Sequence, residues 1–351
     1  MVPESYSPST YHRRLLDRTR PALRFAGQPF AAWKAGLRTR LRTLLGIDAL
    51  DPFPPLAPRT LWEREHPLGT VRKLVFTSEV GADVPAYLCL PHGPGPHPCM
   101  IALQGHTTGM HVSLGVQQDD EQTPIAAAGD RAFGPQCMAR GVAAFCMEQR
   151  SFGERAERRQ EQLCRSNGCH DAAMRSLLLG RTLAGERVTD VLRAAELLRG
   201  LPGVDGGRIG VMGQSGGGTI SIYSAAVSDG FALVMPCCSF CTYRDSIASI
   251  YHCADNYLPG LLRLAEHGDV LGLIAPSPLV VINGRTDPIF PLEPARTEFA
   301  HAAGIYAAAG AAGRCAHVIG EGGHDFYMQA GFTAAQRVAP EFFTGLPLDT
   351  K

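Results

Sequence analysis

The sequence predicts an α/β protein built on a mostly parallel sheet of about eight strands with helices on both faces. Two observations carry that expectation. Short segments too uniformly apolar to alternate ("CMIALQG", "VAAFCMEQ", "RIGVMG", "ALVMPCC", "LVVING" and "CAHVIG") recur from residue 99 onward, as strands buried on both faces do. Helix-length stretches separate several of them. The clearest is "LAGERVTDVLRAAELLRG", where Val188, Val191, Leu192, Ala195 and Leu198 share one face. Parallel neighbours need such crossovers, and the crossover helices cover the sheet. Ahead of them, "VRKLVFTS" and "VPAYLCLP" read as an antiparallel pair.

The 351 residues carry no formal net charge, with 45% hydrophobic and 19% charged residues. That balance fits a globular chain and argues against nucleic acid or an anionic membrane as a partner. No apolar run approaches the ~20 residues a membrane helix needs, and no secretory leader pattern opens the chain. Eleven cysteines sit mostly inside apolar runs, a usage that suits a reducing, cytoplasmic setting better than a disulfide framework. Cys237, Cys238 and Cys241, with His252 and Cys253 nearby, raise a metal reading, but a second well-spaced ligand couple is missing. Neither metal nor cofactor is expected.

Residues 1–69 read as a helical extension packed on a catalytic domain spanning 70–351. Phe30, Trp33, Leu37, Leu41 and Leu44 recur at helical spacing before Gly46, and Arg38, Arg40 and Arg42 mark a solvated basic face. "DPFPPLAP" then reads as a linker. Long insertions fall near 105–137, 150–182 and 240–275, and all would leave the carboxyl ends of strands, where open α/β sheets bind ligands. The last of them resembles a lid.

Chemistry is signalled by Gly213-Gln214-Ser215-Gly216-Gly217, which lies between the strand Ile209–Met212 and a helix starting near Gly218. A strand–turn–helix setting for Gly-x-Ser-x-Gly is that of a nucleophile elbow, which forces the serine backbone toward positive φ and needs small neighbours. A serine hydroxyl needs a base, and the base needs an orienting acid. Asp287 follows the strand Leu279–Ile282, and His324 follows the strand ending near Ile319, so the chain order is Ser, Asp, His. Glu321 and Asp325 flank His324 but, as sequence neighbours, seldom face its ring. An oxyanion needs preorganised donors. The Gly216 N–H is one. The His106 N–H, in the loop holding Gln104, is the other, while the His106 imidazole either faces substrate or packs. Gln104, Gln214, Tyr243, Tyr251, His252 and Tyr257 are further candidates for lining the substrate pocket. Arg150, Glu154 and Arg155 of "EQRSFGER" suit either a substrate carboxylate or an internal ion-pair network.

With "LQGHTTGM", "EQRSFGER", "GRIGVMGQSGGG", "NGRTDPIFP" and "GEGGHDFY" in view, residues 70–345 resemble the α/β-hydrolase superfamily, in its dienelactone-hydrolase-like and acetylxylan-esterase-like branch. The resemblance implies a Ser215–His324–Asp287 triad, no metal, and hydrolysis of a carboxylic ester through an acyl-enzyme. Three departures stand out. Gly216 replaces the glutamine that acetylxylan esterases carry after the nucleophile, Asp325 replaces their glutamate after the histidine, and "RSFGER" stands where they have Arg-Gly-Gln-Gly. The expected activity is thus a serine esterase acting on a small-molecule ester, a short acyl or acetyl ester first, with self-association left open. Amide hydrolysis, C–C hydrolysis, lyase or acyltransferase chemistry on the same scaffold, and a catalytically silent binding protein, are the alternatives.

Overall fold

The computed structural model describes residues 6–48, 51–106, 108–126, 130–157 and 168–346. Parts of the expected insertions, at 107, 127–129 and 158–167, lie outside the described residues, as do the first five and last five residues of the chain.

Nine strands form one sheet: β1 (Arg59–His66), β2 (Gly69–Glu79), β3 (Ala82–Pro91), β4 (His97–Leu103), β5 (Ala143–Met147), β6 (Val204–Gln214), β7 (Leu233–Cys237), β8 (Leu279–Gly284) and β9 (Cys315–Gly320). Their order is β1-β2-β3-β5-β4-β6-β7-β8-β9. The first three strands and the β3–β5 pair are antiparallel, and every pair from β5 to β9 is parallel. This is the α/β-hydrolase sheet.

Alternation along a strand decides which layer each residue joins. In β4, Cys99, Ile101 and Leu103 join one core and Met100 and Ala102 the other. The first core is completed by α2 (Phe30–Leu45), α5 (Leu183–Leu198), α6 (Gly216–Ala226), α7 (His267–Gly272) and α8 (Leu292–Ala308). The second is closed by α3 (Phe133–Met138) and α9 (Met328–Val338). The remaining helices are α1 (Pro8–Arg18) and α4 (Gly168–Leu178). Among the described residues no helix is long and apolar enough to cross a membrane.

Helix α2 follows its sequence pattern at Trp33, Leu37 and Leu41, whereas Phe30 and Leu44 are only half buried and Leu45 is buried instead. Trp33, Leu37, Leu41 and Leu45 are the buried stripe of α2, and Gly46 closes it with φ 74°, the left-handed C-terminal cap that glycine supplies without strain. Its basic face is only partly solvated. Arg38 grips Asp229 at 2.6 and 2.8 Å and reaches the Ala226 carbonyl at 2.9 Å.

One boundary is corrected. Residues 1–69 are not wholly helical, because Arg59–His66 is an edge strand paired with β2. Its outward positions carry Arg59, Glu63 and Glu65 and its inward side is only half buried, so the apolar signal that marks the other strands is absent. Charged side chains on an edge strand also block edge-to-edge pairing with another chain.

Candidate active site

Four loops at the carboxyl ends of β4, β6, β8 and β9 converge. Ser215 is the turn between β6 and α6, with φ 55° and ψ −122°, a backbone conformation that costs a non-glycine residue on the order of 1–3 kcal/mol. What holds it there is close packing. Ser215 donates its N–H to Cys237 O at 2.8 Å. A Cβ on Gly217 would lie 2.2 Å from Leu103 O, and one on Gly213 would lie 2.5 Å from Gly217. The glycines let β4, β6 and α6 meet, and the serine is lifted into a cleft of about 170 Å³. Gly216 opens α6, so its N–H has no acceptor within the helix.

Asp287 and His324 are brought together: His324 Nδ1 lies 2.8 Å from Asp287 Oδ2. The other carboxylate oxygen accepts the N–H groups of Ile289 and Phe290 at 2.8 and 3.2 Å. Burial alone would push the Asp287 carboxyl up, but His324 and those two donors outweigh it and hold the carboxyl below its usual range. The loops carrying the pair lock together, since a Cβ on Gly284 would sit 1.8 Å from Gly323 O. Gln214 Nε2 donates to the His324 carbonyl at 2.9 Å, and Phe290 stacks parallel to the His324 ring, 6.0 Å between centres. Glu321 pairs instead with Arg285 at 2.8 Å. No hydrogen bond joins Ser215 to His324 among the described residues; such bonds commonly tighten only around bound substrate.

The His106 imidazole lines the cleft beside Ser215 and Gly216. Its ring lies over Gly216, where a Cβ would come within 2.7 Å of Nδ1 and Cε1. Its Nε2 meets both oxygens of Asp255, at 3.0 and 3.1 Å. Asp255 also accepts from the buried Arg187 guanidinium, which lies 4.3 Å over Phe152 and donates to the Arg150 carbonyl at 2.7 and 3.0 Å. Asp255 and Arg187 escape a reading of the sequence, since an aspartate in a loop and an arginine inside an amphipathic helix carry no spacing signal.

The other candidates divide. Tyr251 and His252 line the Ser215 cleft with Ile250, Cys253, Asn256, Ile289 and Phe290. Burial, then the nearby His106 charge, lowers His252 to about 4, so its ring is neutral near pH 7. Tyr243 and Tyr257 do not line this cleft. Tyr243 is buried against Tyr223 and stacked on His267, and Tyr257 donates to Ile247 O at 2.9 Å beside a separate apolar groove. Gln104 also points away, with its amide donating to Ser113 and the Arg131 carbonyl at 2.8 Å. Arg150 and Arg155 converge on Asp190, and Arg150 adds Glu79 and Glu186. Glu154 takes Lys73 at 2.7 Å. These residues form an internal network beneath the loops.

Among the described residues, two trios have donor atoms within 4.8 Å of one another: His106, Cys253 and Asp255, and Cys238, Asp287 and His324. In each the carboxylate is already engaged, by Arg187 or by backbone N–H groups, and no ligand role is assigned. Cys237 and Cys238 are buried against the Asp325 carbonyl, and Cys241 against that of Pro291.

The sheet, the elbow and the facing acid and histidine define an α/β-hydrolase. Comparison with known proteins then places the chain among carboxylic ester hydrolases: the acetyl xylan esterase family model matches residues 127–259, a stretch that includes the elbow. The chain is 24% identical over 287 residues to YtaP, a candidate hydrolase of Bacillus subtilis (strain 168), covering 80% of this chain and 90% of that one. A candidate acetyl xylan esterase of Bacteroides fragilis NCTC 9343 has the same fold, with a TM-score of 0.73 at 15% identity over 92% of this chain and 85% of that chain. A glucuronoyl esterase from Solibacter usitatus superposes with a TM-score of 0.65 at 16% identity, over 93% and 98%.

Proposed function

We propose that this carboxylic ester hydrolase works through an acyl-enzyme on Ser215 and acts on small acyl esters, acetyl esters first. Ser215 Oγ attacks the ester carbonyl and its proton passes to His324 Nε2. Asp287, on the far side of the ring, holds the tautomer that leaves Nε2 free to accept and offsets the imidazolium charge that results. The N–H of Gly216 and that of His106 face the developing oxyanion. His324 then returns the proton to the leaving alcohol, and water repeats the sequence in reverse to release the acid.

The observation that carries the reading is the 2.8 Å contact between His324 and a buried Asp287, set beside a strained serine at a helix N-terminus. Acyl size rests on the match to the acetyl xylan esterase model and on the cleft of about 170 Å³. A cavity of ~150 Å³ takes up one benzene ring, so an acetyl group fits with only part of its alcohol.

Intact mass after reaction with a fluorophosphonate, followed by peptide mapping, tests the assignment. The expected result is one adduct on Ser215 that is absent in His324→Ala. An adduct elsewhere, or none on folded protein, refutes it.

A further inference from the structure

We infer that the His106 side chain is a second catalytic group, a fixed imidazolium whose positive charge faces the oxyanion formed on the substrate carbonyl. This rests on the acyl-enzyme reading and adds a cationic element to it. Three observations carry it.

First, the ring lies beside the elbow. It lines the same cleft as Ser215 and Gly216, and its Nδ1–Cε1 edge covers Gly216, the residue whose N–H is the proposed oxyanion donor. Any side chain at position 216 would expel it, so the glycine admits the ring.

Second, the proton on Nε2 is fixed. Both oxygens of Asp255 lie on that nitrogen, and a carboxylate can only accept. The state of Nδ1 therefore decides what the oxyanion meets: a lone pair in neutral imidazole, which repels it, or the N–H edge of a cation, which attracts it.

Third, the surroundings select the cation and leave its charge uncancelled. Burial pulls the imidazolium down, but the charge and hydrogen bonds of Asp255 more than offset that, and the group is pushed up to about 9. Arg187 neutralises Asp255, so Arg187, Asp255 and His106 together keep one net positive charge. Cys169, which hydrogen-bonds the His106 ring, Cys253, within 4.8 Å of it, and His252 also face the ring. Cys169 is a thiol raised to about 12, first by its hydrogen bond to Cys253 and then by burial, and His252 is lowered to about 4.

In the step itself no proton moves at His106. The Oγ–C bond forms, the carbonyl π pair shifts onto oxygen, the serine proton goes to His324, and the new negative charge lies against the imidazolium and the Gly216 N–H. Such a charge in a water-poor site acts at far greater strength than in bulk water. Asp255 and Arg187 are positioning residues.

The test is kcat and kcat/KM for p-nitrophenyl acetate from pH 6 to 10.5, for the wild type and His106→Gln, which keeps the backbone N–H and loses the charge. The expectation is a loss of about 10²-fold in kcat at pH 7.5 with little change in KM, and a wild-type decline in kcat/KM centred near pH 9 that the variant lacks. A variant with wild-type kcat, or a wild-type profile flat to pH 10.5, overturns the inference; if the variant does not fold, the wild-type profile decides alone. Fluorophosphonate labelling separates the two readings. Unlabelled Ser215 in folded wild type overturns both, whereas labelled Ser215 with an unaltered His106→Gln overturns only this one.

Discussion

Replacing Asp287 by asparagine isolates the orienting acid with the least disturbance of shape. The retained oxygen still accepts the N–H groups of Ile289 and Phe290, now at 2.8 and 3.2 Å, so the loop keeps its anchor. The lost oxygen is the one 2.8 Å from His324 Nδ1, and an NH2 group takes its place. A donor there forces Nδ1 to accept, which moves the ring proton to Nε2, and the serine proton then has no base to go to. A tautomer inversion of this kind costs about 10⁴ in kcat, or roughly 5.5 kcal/mol of transition-state stabilisation. KM should change little, because Asp287 is buried behind the ring, does not itself line the cleft, and keeps its contacts to the cleft residues Ile289 and Phe290 in the variant. The assay is steady-state hydrolysis of p-nitrophenyl acetate at pH 7.5, with a urea unfolding curve to show the fold is intact. A folded variant that retains more than a tenth of wild-type kcat would refute the orienting role and return Asp325 to consideration.

Two further outcomes follow from packing and burial. Gly217→Ala places a Cβ 2.2 Å from Leu103 O and 2.7 Å from Gln104 O, backbone atoms of β4 and its exit loop that cannot swing aside. Stability should fall by about 3 kcal/mol, whereas Gly313→Ala, in open space, should be neutral; equal urea midpoints for the two would contradict this. Glu148 is buried among the N–H groups of Met110 and Glu154, and burial pushes its carboxyl up to about 7 from an ordinary 4.5. The unfolded chain therefore sheds this proton first, and the fold loses stability as pH rises from 4.5 to about 7, by about 3 kcal/mol on the 1.36 kcal/mol per unit scale. Glu148→Gln should remove that loss, and unfolding free energies at pH 5 and 7.5 that change equally in both proteins would exclude it.

Seven of the strands and most of the α2 stripe were legible because burial within a sheet, or on one face of a helix, imposes a local pattern, and β9, half buried at the far edge, was legible from its apolar run alone. The elbow was legible for a similar reason. Close approach of β4, β6 and α6 demands glycine, so geometry writes itself into adjacent residues. β1 was not, because an edge strand half in solvent needs no apolar run. The tyrosines mislead for a different reason. Tyr243 and Tyr251 look alike in a loop, and only tertiary placement puts one against Tyr223 in the core and the other, 81% exposed, over the cleft. The Arg187–Asp255–His106 cluster joins residues 149 and 68 positions apart in sequence, and no periodicity records such a meeting.

The departure at Gly216, which the sequence alone leaves unexplained, has a physical account once both histidines are placed. In the mechanism proposed above, Ser215 works with two His–Asp pairs used in opposite senses. Asp287 takes Nδ1 of His324 and so leaves Nε2, the nitrogen that the proposed mechanism has gain and shed a proton in every cycle. Asp255 takes Nε2 of His106 and turns the other edge onto the elbow. The environments differ in the way these tasks require: Asp287 is also satisfied by two backbone N–H groups, whereas Asp255 is tied to a buried arginine. A charge locked in place is of no use as a base, and a base that cycles its proton cannot stabilise an anion throughout the reaction. Dividing the work between two rings needs space for the second beside the nucleophile. A glutamine side chain at 216 would fill that space, and glycine leaves it open.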